Sequence, residues 1–253
     1  MPATRKAIES ELRSLLRPEQ FNDYCPNGLQ VEGTEQIGKL VSGVTACQEL
    51  IDRAVATGAD MLLVHHGYFW KGEDPTITGI KRSRIQALLA GKLNLFAYHL
   101  PLDVHPELGN NAQLGRLLGL RVTGEFAAYQ GRNVGLLGEF TEPMTVGALH
   151  NLVTDRLNRK PLIIGKESAK LRTAAWCTGA AQGYIGEAID AGVDVFITGE
   201  VSEPTVHIAR ETGLCFVSAG HHATERYGVQ AVGNYLADRF QLQHEFFDID
   251  NPV

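Results

Sequence analysis

The chain has 253 residues and a formal net charge of −6. That is enough chain for one large domain or two small ones. The acidic balance argues against a surface built for general attraction to nucleic-acid phosphates, which needs a basic stripe, but leaves room for a local basic patch. The start, MPATRKAIESELRSLL, has no apolar stretch of signal-peptide type. No run approaches the ~18 apolar residues of a membrane span, so a cytoplasmic protein with no membrane partner is expected.

In chain order, Ala3–Leu16 carries Ile8, Leu12, Leu15 and Leu16 at helical spacing and reads as an amphipathic helix. Pro26-Asn27-Gly28 is a turn signal. Lys39–Thr45 reads as a strand and Ala46–Thr57 as a helix closed by Gly58. Met61–Val64 is a short apolar run of the kind buried on both faces of a parallel sheet, and it leads into His65, His66 and Gly67. Histidine pairs continue such a strand poorly, so these two should stand at the carboxyl end of a central strand, where open α/β sheets bind ligands. An aromatic loop, Tyr68–Gly72, and a basic helix, Ile80–Ala90, follow. Leu93–His99 is another apolar strand ending on histidine; Pro101 should stop regular structure there, and Asp103 lies four residues on. Asn110–Leu118 reads as a helix.

The second half keeps this rhythm. Strands are expected at Asn133–Phe140, Pro161–Ile164, Leu171–Thr178, Asp194–Thr198 and Leu214–Ala219, with helices at Thr145–Leu157, Ala181–Ala191 and Glu203–Thr212. His221-His222-Ala223-Thr224-Glu225 opens a long helix to about Phe240, and His244–Ile249 is a last strand. Alternation of this length indicates βαβ units and an α/β fold with a largely parallel sheet. With Thr123–Arg132 as the best boundary, the halves are residues 1–125 and 126–253. Thr45–Gly67 and Thr178–Glu200 also align as an internal repeat with one inserted residue, Asp60 matching Asp194, and Gly199-Glu200 falling where His65-His66 stand.

Three apolar strands thus end in His65/His66, in His99 with Asp103, and in His221 with Glu225. His221 and Glu225, four apart at a helix start, project from one face. His65 and His66 would point to opposite faces of a regular strand, so they converge where the strand breaks or serve different ions. Three to five imidazoles and two carboxylates exceed what one four-coordinate ion needs. They suit two ions ~3.5–4 Å apart that activate water, and mixed nitrogen and oxygen donors favour zinc, iron or manganese. Glu200 is a candidate for proton transfer beside such a site. Tyr68, Phe69 and Trp70 could wall it for a base, and Lys71, Lys81 and Arg82 could meet a phosphate; core packing and a solvated face are the plainer readings. His105 and His222 are neighbouring imidazoles. Cys25, Cys47, Cys177 and Cys215 form no C-x-x-C pair and lack an electropositive setting, which leaves them as structural thiols. No phosphate-binding glycine loop, dinucleotide fingerprint or nucleophile elbow is present.

The segments NGLQVEG (Asn27–Gly33), VHHGYFWKG (Val64–Gly72), HLPLDVHPELGNNAQL (His99–Leu114), TGEVSE (Thr198–Glu203) and AGHHATER (Ala219–Arg226) resemble the Nif-three-like family, also described as GTP cyclohydrolase 1 type 2-like. The chain is similar to a short bacterial member across essentially its whole length. The resemblance implies two similar, intertwined α/β halves with mixed, largely parallel sheets and a dinuclear metal site in the cleft between them. It also implies a homohexamer built as a trimer of dimers. Its metal ligands fall on His65, His66, Asp103, His221 and Glu225, with Asp103 or Glu225 as the candidate bridge, and it leaves His99 as a nearby residue.

The activity so implied is a dinuclear metal-dependent hydrolase acting on a nucleotide or related heterocycle, as in hydrolytic opening of the imidazole ring of GTP by a metal-activated water. The alternative is a non-catalytic metal-binding ring that scaffolds partners or single-stranded nucleic acid, in keeping with links of some members to DNA damage. A fold and a metal site do not by themselves transfer a substrate.

Overall fold

The computed structural model describes residues 2–253, and the chain forms two units. One runs to Gly109 and takes in Gly228–Asp250; the other comprises Asn110–Tyr227 with Asn251–Val253. The first opens with β1 (Ala3–Thr4) and α1 (Arg5–Leu16), where Thr4 caps the helix by accepting from the Ala7 N–H at 3.2 Å. There follow β2 (Gly28–Val31), β3 (Gln36–Ile37), β4 (Lys39–Thr45), α2 (Gln48–Ala56), β5 (Met61–His66), α3 (Gly79–Ala90), β6 (Asn94–Ala97) and α4 (Leu100–Val104). The second unit holds α5 (Asn110–Leu117), β7 (Leu120–Tyr129), β8 (Arg132–Thr145), α6 (Val146–Leu157), β9 (Leu162–Ile164) and β10 (Lys170–Trp176). It continues through α7 (Ile185–Asp190), β11 (Val195–Thr198), α8 (Glu203–Thr212) and β12 (Cys215–Ser218). Helix α9 (His221–Phe240) starts in the second unit and from Gly228 belongs to the first, where β13 (Gln243–Phe246) ends the regular structure. Among the described residues no helix is long and apolar enough to cross a membrane.

The first unit's main sheet has the order β13-β4-β5-β6-β2, parallel except for β2 at the edge. Central β5 shows why its run is apolar without alternation. Leu62 and Val64 pack on one face with Leu50, Ile51 and Ala54 of α2 and Ile85 and Leu88 of α3. Met61 and Leu63 pack on the other with Ile8 and Leu12 of α1 and Val229, Val232 and Leu236 of α9. A strand covered on both sides has no polar face to show. The second unit's sheet runs β7-β8-β10-β11-β12-β9, with a parallel core of β10, β11 and β12 flanked by antiparallel strands. Trp176, Ile197 and Val217 pack there with Leu149, Val153 and Leu157 of α6. Both sheets are mixed, with the parallel strands at the centre as the alternation of strands and helices indicates.

The differences from expectation have local causes. Thr123–Arg132 lies mostly within β7, and Gln130 and Gly131, both at positive φ, make the two-residue turn of the β7–β8 hairpin. Pro101 does not stop regular structure but sits in the first turn of α4, where a proline's missing N–H costs no hydrogen bond. The edge strand β2 carries no strand signal of its own because Gly28, part of the turn motif, begins it.

The internal repeat has a physical counterpart. Asp60, just before β5, accepts through Oδ2 from the N–H groups of Gly38 and Lys39 at 2.8 and 3.0 Å. Asp194, just before β11, accepts through Oδ2 from the N–H groups of Arg172 and Thr173, each at 2.8 Å, and from the Thr173 hydroxyl at 3.0 Å. In each unit the carboxylate pins the start of one parallel strand to its neighbour. Burial would raise the Asp194 carboxyl, but the Thr173 and Arg172 N–H donors and the Thr173 hydroxyl outweigh it and hold it below its ordinary value. A depressed pKa gives stability that is present above the unfolded value, ~3.9, and lost as pH falls through the folded one. Asp194→Asn, which keeps an acceptor oxygen but no charge, should therefore cost ~1 kcal/mol at pH 7. The gap to the unsubstituted protein should close below about pH 4. Urea unfolding at pH 7 and at pH 3.5 measures both; a gap equal at the two values would refute the staple.

Candidate metal centre

In the first unit His65 and His66 are the last two residues of β5, the central strand, so the strand keeps both histidines. Although adjacent on a strand, their rings are 4.5 Å apart between centroids and tilted by 42°. His65 is fully buried. Its Nδ1 lies 2.9 Å from the Tyr98 carbonyl oxygen, which can only accept, so Nδ1 carries a hydrogen. That Nε2 lies 3.4 Å from Asp103 Oδ1 on α4. His66 Nδ1 is bonded to Thr45 Oγ1 at 3.1 Å, at the end of the neighbouring strand β4.

His99, just past β6, joins this group. Its ring centroid is 5.1 Å from that of His65 and 5.9 Å from that of His66. One ring nitrogen from each of His65, His66 and His99 lies within 4.8 Å of the others. His99 is held on two sides: its backbone N–H donates to Asn27 Oδ1 at 2.7 Å, and its Nδ1 lies 2.8 Å from Asp23 Oδ1. Asp23 Oδ2 accepts from the Leu100 N–H at 2.9 Å and from Asn27 Nδ2 at 2.8 Å. Burial would raise the Asp23 carboxyl, yet the hydrogen bond and charge of His99, then Asn27 and the Tyr24 N–H, hold it below its usual range.

In the second unit His221 and Glu225 stand one turn apart at the start of α9, with Nε2 and Oε2 3.2 Å apart. His221 Nδ1 lies 2.7 Å from Glu200 Oε1. Burial pulls the His221 imidazolium down, but Glu225 and then Glu200 outweigh it by hydrogen bond and charge and lift it to about 9. Two glycines make room for this corner. A Cβ on Gly179 would overlap Glu225 Oε1 and stand 3.3 Å from His221 Nε2, and Gly179 itself has φ +69°. A Cβ on Gly199 would come 2.6 Å from both the Gly179 carbonyl oxygen and His221 Cα. Glu225, only 3% exposed, thus occupies space that any larger residue at 179 would take.

The donor chemistry fits transition-metal ions. The first unit offers three imidazoles and a carboxylate, the second an imidazole and a carboxylate. Nitrogen with carboxylate oxygen suits zinc, iron or manganese better than calcium or magnesium. Each of the four rings has its Nδ1 engaged by an oxygen, which is how metal-ligating histidines are held for their other nitrogen to coordinate.

The remaining sequence candidates divide. Glu200 lies against His221. His105 accepts through Nδ1 from the N–H groups of Glu107 and Leu108, at 3.2 and 3.0 Å, and so caps a turn. The His222 N–H donates to the Val253 carbonyl. Tyr68 is core, its hydroxyl donating to the Ala46 carbonyl at 2.6 Å, whereas Trp70 stands edge-on to His99 with centroids 5.0 Å apart. Lys81 is occupied by Glu73 at 3.3 Å and the Asp74 carbonyl at 2.9 Å. Asp23 and Asn27 are absent from the sequence-derived candidates. The available signal was the D-x-x-x-N spacing ahead of Gly28, which a turn explains as well.

The fold and the site define an α/β protein of two units with a histidine–carboxylate group able to hold metal. The profile of Duf34/NIF3 (NGG1p interacting factor 3) matches residues 3–252. The chain belongs to that family. It is 53% identical over 253 residues, the full length of both chains, to a GTP cyclohydrolase 1 type 2 homolog of Pseudomonas aeruginosa. It is 51% identical over 247 residues to one of Escherichia coli K12, covering 97% of this chain and 98% of the other. Among solved structures, the ybgI protein, described as of unknown function, superposes with a TM-score of 0.94 at 50% identity, covering 99% of this chain and 100% of its own. A protein from Thermus thermophilus, TTHA1606, gives 0.88 at 32% identity over 99% and 100%.

Gly179→Ala tests the corner. Gly192 has a similar φ of +68° with nothing within 4 Å of a Cβ, so Gly192→Ala reports backbone strain alone, ~1–2 kcal/mol. Gly179→Ala should lose clearly more stability and also lower the zinc bound per chain by elemental analysis. Equal effects from the two substitutions would show that no close packing operates at Gly179.

Proposed function

We propose that the chain is a dinuclear metal-dependent hydrolase acting on a nucleotide or a related heterocycle. The carrying observation is the set of imidazoles beyond the parallel strands, each oriented by an oxygen at Nδ1 as metal-ligating histidines are. The names of the relatives at about half identity, GTP cyclohydrolase 1 type 2 homolog, support the same chemistry. His65, His66, Asp103, His221 and Glu225 would hold the divalent ions, of zinc, iron or manganese. When bound, the ions supply an activated water and offset developing negative charge.

The protein's own groups do the rest. Tyr98 and Thr45 fix the orientation of His65 and His66 through their oxygens. Glu200 takes the Nδ1 proton of His221 in a charge-assisted hydrogen bond, which places it to hold a proton during turnover. Trp70 stands beside His66 and His99 and suits a planar ring, since aromatic faces stack on heterocycles.

The experiment is an assay of metal-replete protein against GTP, a panel of nucleotides and phosphoesters. Turnover of at least one ring or ester substrate is expected, abolished by chelation, restored by metal, and reduced to background in His66→Ala and Glu225→Ala. Turnover that survives both substitutions, or none with any panel member, would overturn the hydrolase.

A further inference from the structure

The first unit also holds a cavity of about 520 Å³, lined by α1, the short turn Pro18–Gln20 that follows it, the start of β2, and Tyr98 just past β6. That volume falls within the range of small-molecule sites, ~300–1,000 Å³. Phe21, Pro26 and Leu29 give the cavity apolar walls.

Tyr98 is what marks the cavity as a site. Its side chain is 1% exposed, and its ring packs with Ile8 and Leu12 of α1 and with Phe96. Its hydroxyl reaches the cavity beside Gly28, where a Cβ would stand 4.0 Å from the oxygen. Among the described residues no group is hydrogen-bonded to that hydroxyl. Tyr68, buried in the same unit, instead donates to the Ala46 carbonyl at 2.6 Å. A hydroxyl withdrawn from water without a partner costs free energy that a bound ligand would recover. Burial, then the charge of Glu9, push its ionisation up against the opposing charge of Arg13, so it stays a hydroxyl able to donate or to accept.

The charges around the cavity select the ligand. Arg13 pairs with Glu19 at 3.6 Å. Asp23 already accepts from His99 Nδ1, the Leu100 N–H, Asn27 Nδ2 and the Tyr24 N–H. Glu9, one turn before Arg13 on α1, is left as a lining carboxylate with no cation opposite it among the described residues. A hydroxyl oxygen and an unbalanced carboxylate, with the Phe21 ring alongside, suit a cationic amine and oppose a carboxylate or phosphate.

We propose that this cavity binds a small molecule bearing an ammonium group, held by Glu9 and the Tyr98 oxygen, with its apolar body against Phe21 and Pro26. The site needs neither metal nor turnover and does not rest on the hydrolase.

The probes are benzylamine, benzyl alcohol and benzoate, one aromatic body with three head groups, titrated into the full-length protein by calorimetry. Benzylamine should bind tightest and benzoate weakest. Glu9→Gln should weaken benzylamine about tenfold, the scale of one hydrogen bond to a charged group. Tyr98→Phe should weaken both benzylamine and benzyl alcohol. Arg13→Gln should tighten benzylamine, a change of sign that damage to the fold would not produce. Glu49→Gln, an exposed carboxylate on α2, is the control and should change nothing. Because the Tyr98 hydroxyl has no partner within the chain, Tyr98→Phe should melt no lower than the unsubstituted protein.

Benzoate binding as tightly as benzylamine, benzylamine binding unmoved by Glu9→Gln and Tyr98→Phe, or no probe binding at millimolar concentration would each overturn the proposal. A clearly lowered melt in Tyr98→Phe would show that the hydroxyl is partnered within the chain and overturn it too. None of these outcomes touches the hydrolase, and failure of the hydrolase leaves this site standing.

Discussion

The structure depends on fixing the Nδ1 of imidazoles that are taken out of water. An unsatisfied buried donor or acceptor costs ~1–3 kcal/mol, so a fully buried ring such as His65 exists only where the fold supplies a fixed partner. The partner is the Tyr98 carbonyl, which follows β6. For His66 it is Thr45 at the end of β4. Both partners are delivered by strand register: Thr45 lies opposite His66, and Val64 opposite Ala97, one residue short of Tyr98. The parallel core of the sheet therefore sets the orientation of both rings. An ordinary packing requirement becomes the orientation of a site.

The same frame is used twice with different endings. Both units contain three parallel strands consecutive in the chain's parallel core, β4-β5-β6 and β10-β11-β12, stapled by an aspartate at the start of the second, Asp60 or Asp194. Where the first unit's middle strand ends in His65-His66, the second's is followed by Gly199-Glu200. The substitution of glycine there has a steric reason, because α9 begins against Gly199 and leaves no room for a side chain. The second unit consequently puts its histidine on the helix, at position 221, and uses Glu200 to hold it. Each unit also sets a carboxylate on the early turns of the helix after its third parallel strand, Asp103 on α4 and Glu225 on α9. One topology yields a set of donors in each unit.

Much of this was legible in the sequence because its signals are local. Continuous apolar runs mark strands covered on both faces, and β5 shows that cover residue by residue. A histidine and a glutamate four apart share a helix face whatever surrounds them. The aspartate staples were visible as the repeat's matched Asp60 and Asp194, though not their purpose, which depends on N–H groups about twenty residues back. Asp23 and Asn27 were illegible for a different reason. Their partners lie 72 to 77 positions away, and the Pro26-Asn27-Gly28 turn already accounted for the residue types present. Edge strands β2 and β7 carry glycine and polar residues because one side of each is unpaired, which removes the apolar signal that identified the central strands.

The loop after β5 shows how the same economy shapes the surroundings of the histidines. Gln30 clasps Tyr68 through both its N–H and its carbonyl, at 2.7 and 3.2 Å, and a Cβ on Gly67 would overlap Gln30. With Tyr68 pinned into the core, the chain must turn sharply, and Phe69 takes φ +66°, a conformation that costs a bulky residue ~1–3 kcal/mol. The indole N–H of Trp70 then donates back to the Gly67 carbonyl at 3.1 Å, setting the ring beside His66 and His99. A strained turn closed on itself by two side-chain anchors holds Trp70 in one place rather than sweeping it across the histidines. Lys81, stacked over Phe69 and tied to Glu73, braces the outside of the same turn. Its ammonium is thereby engaged by the loop's own carboxylate, and what the loop sets beside the histidines is the aromatic surface of Trp70.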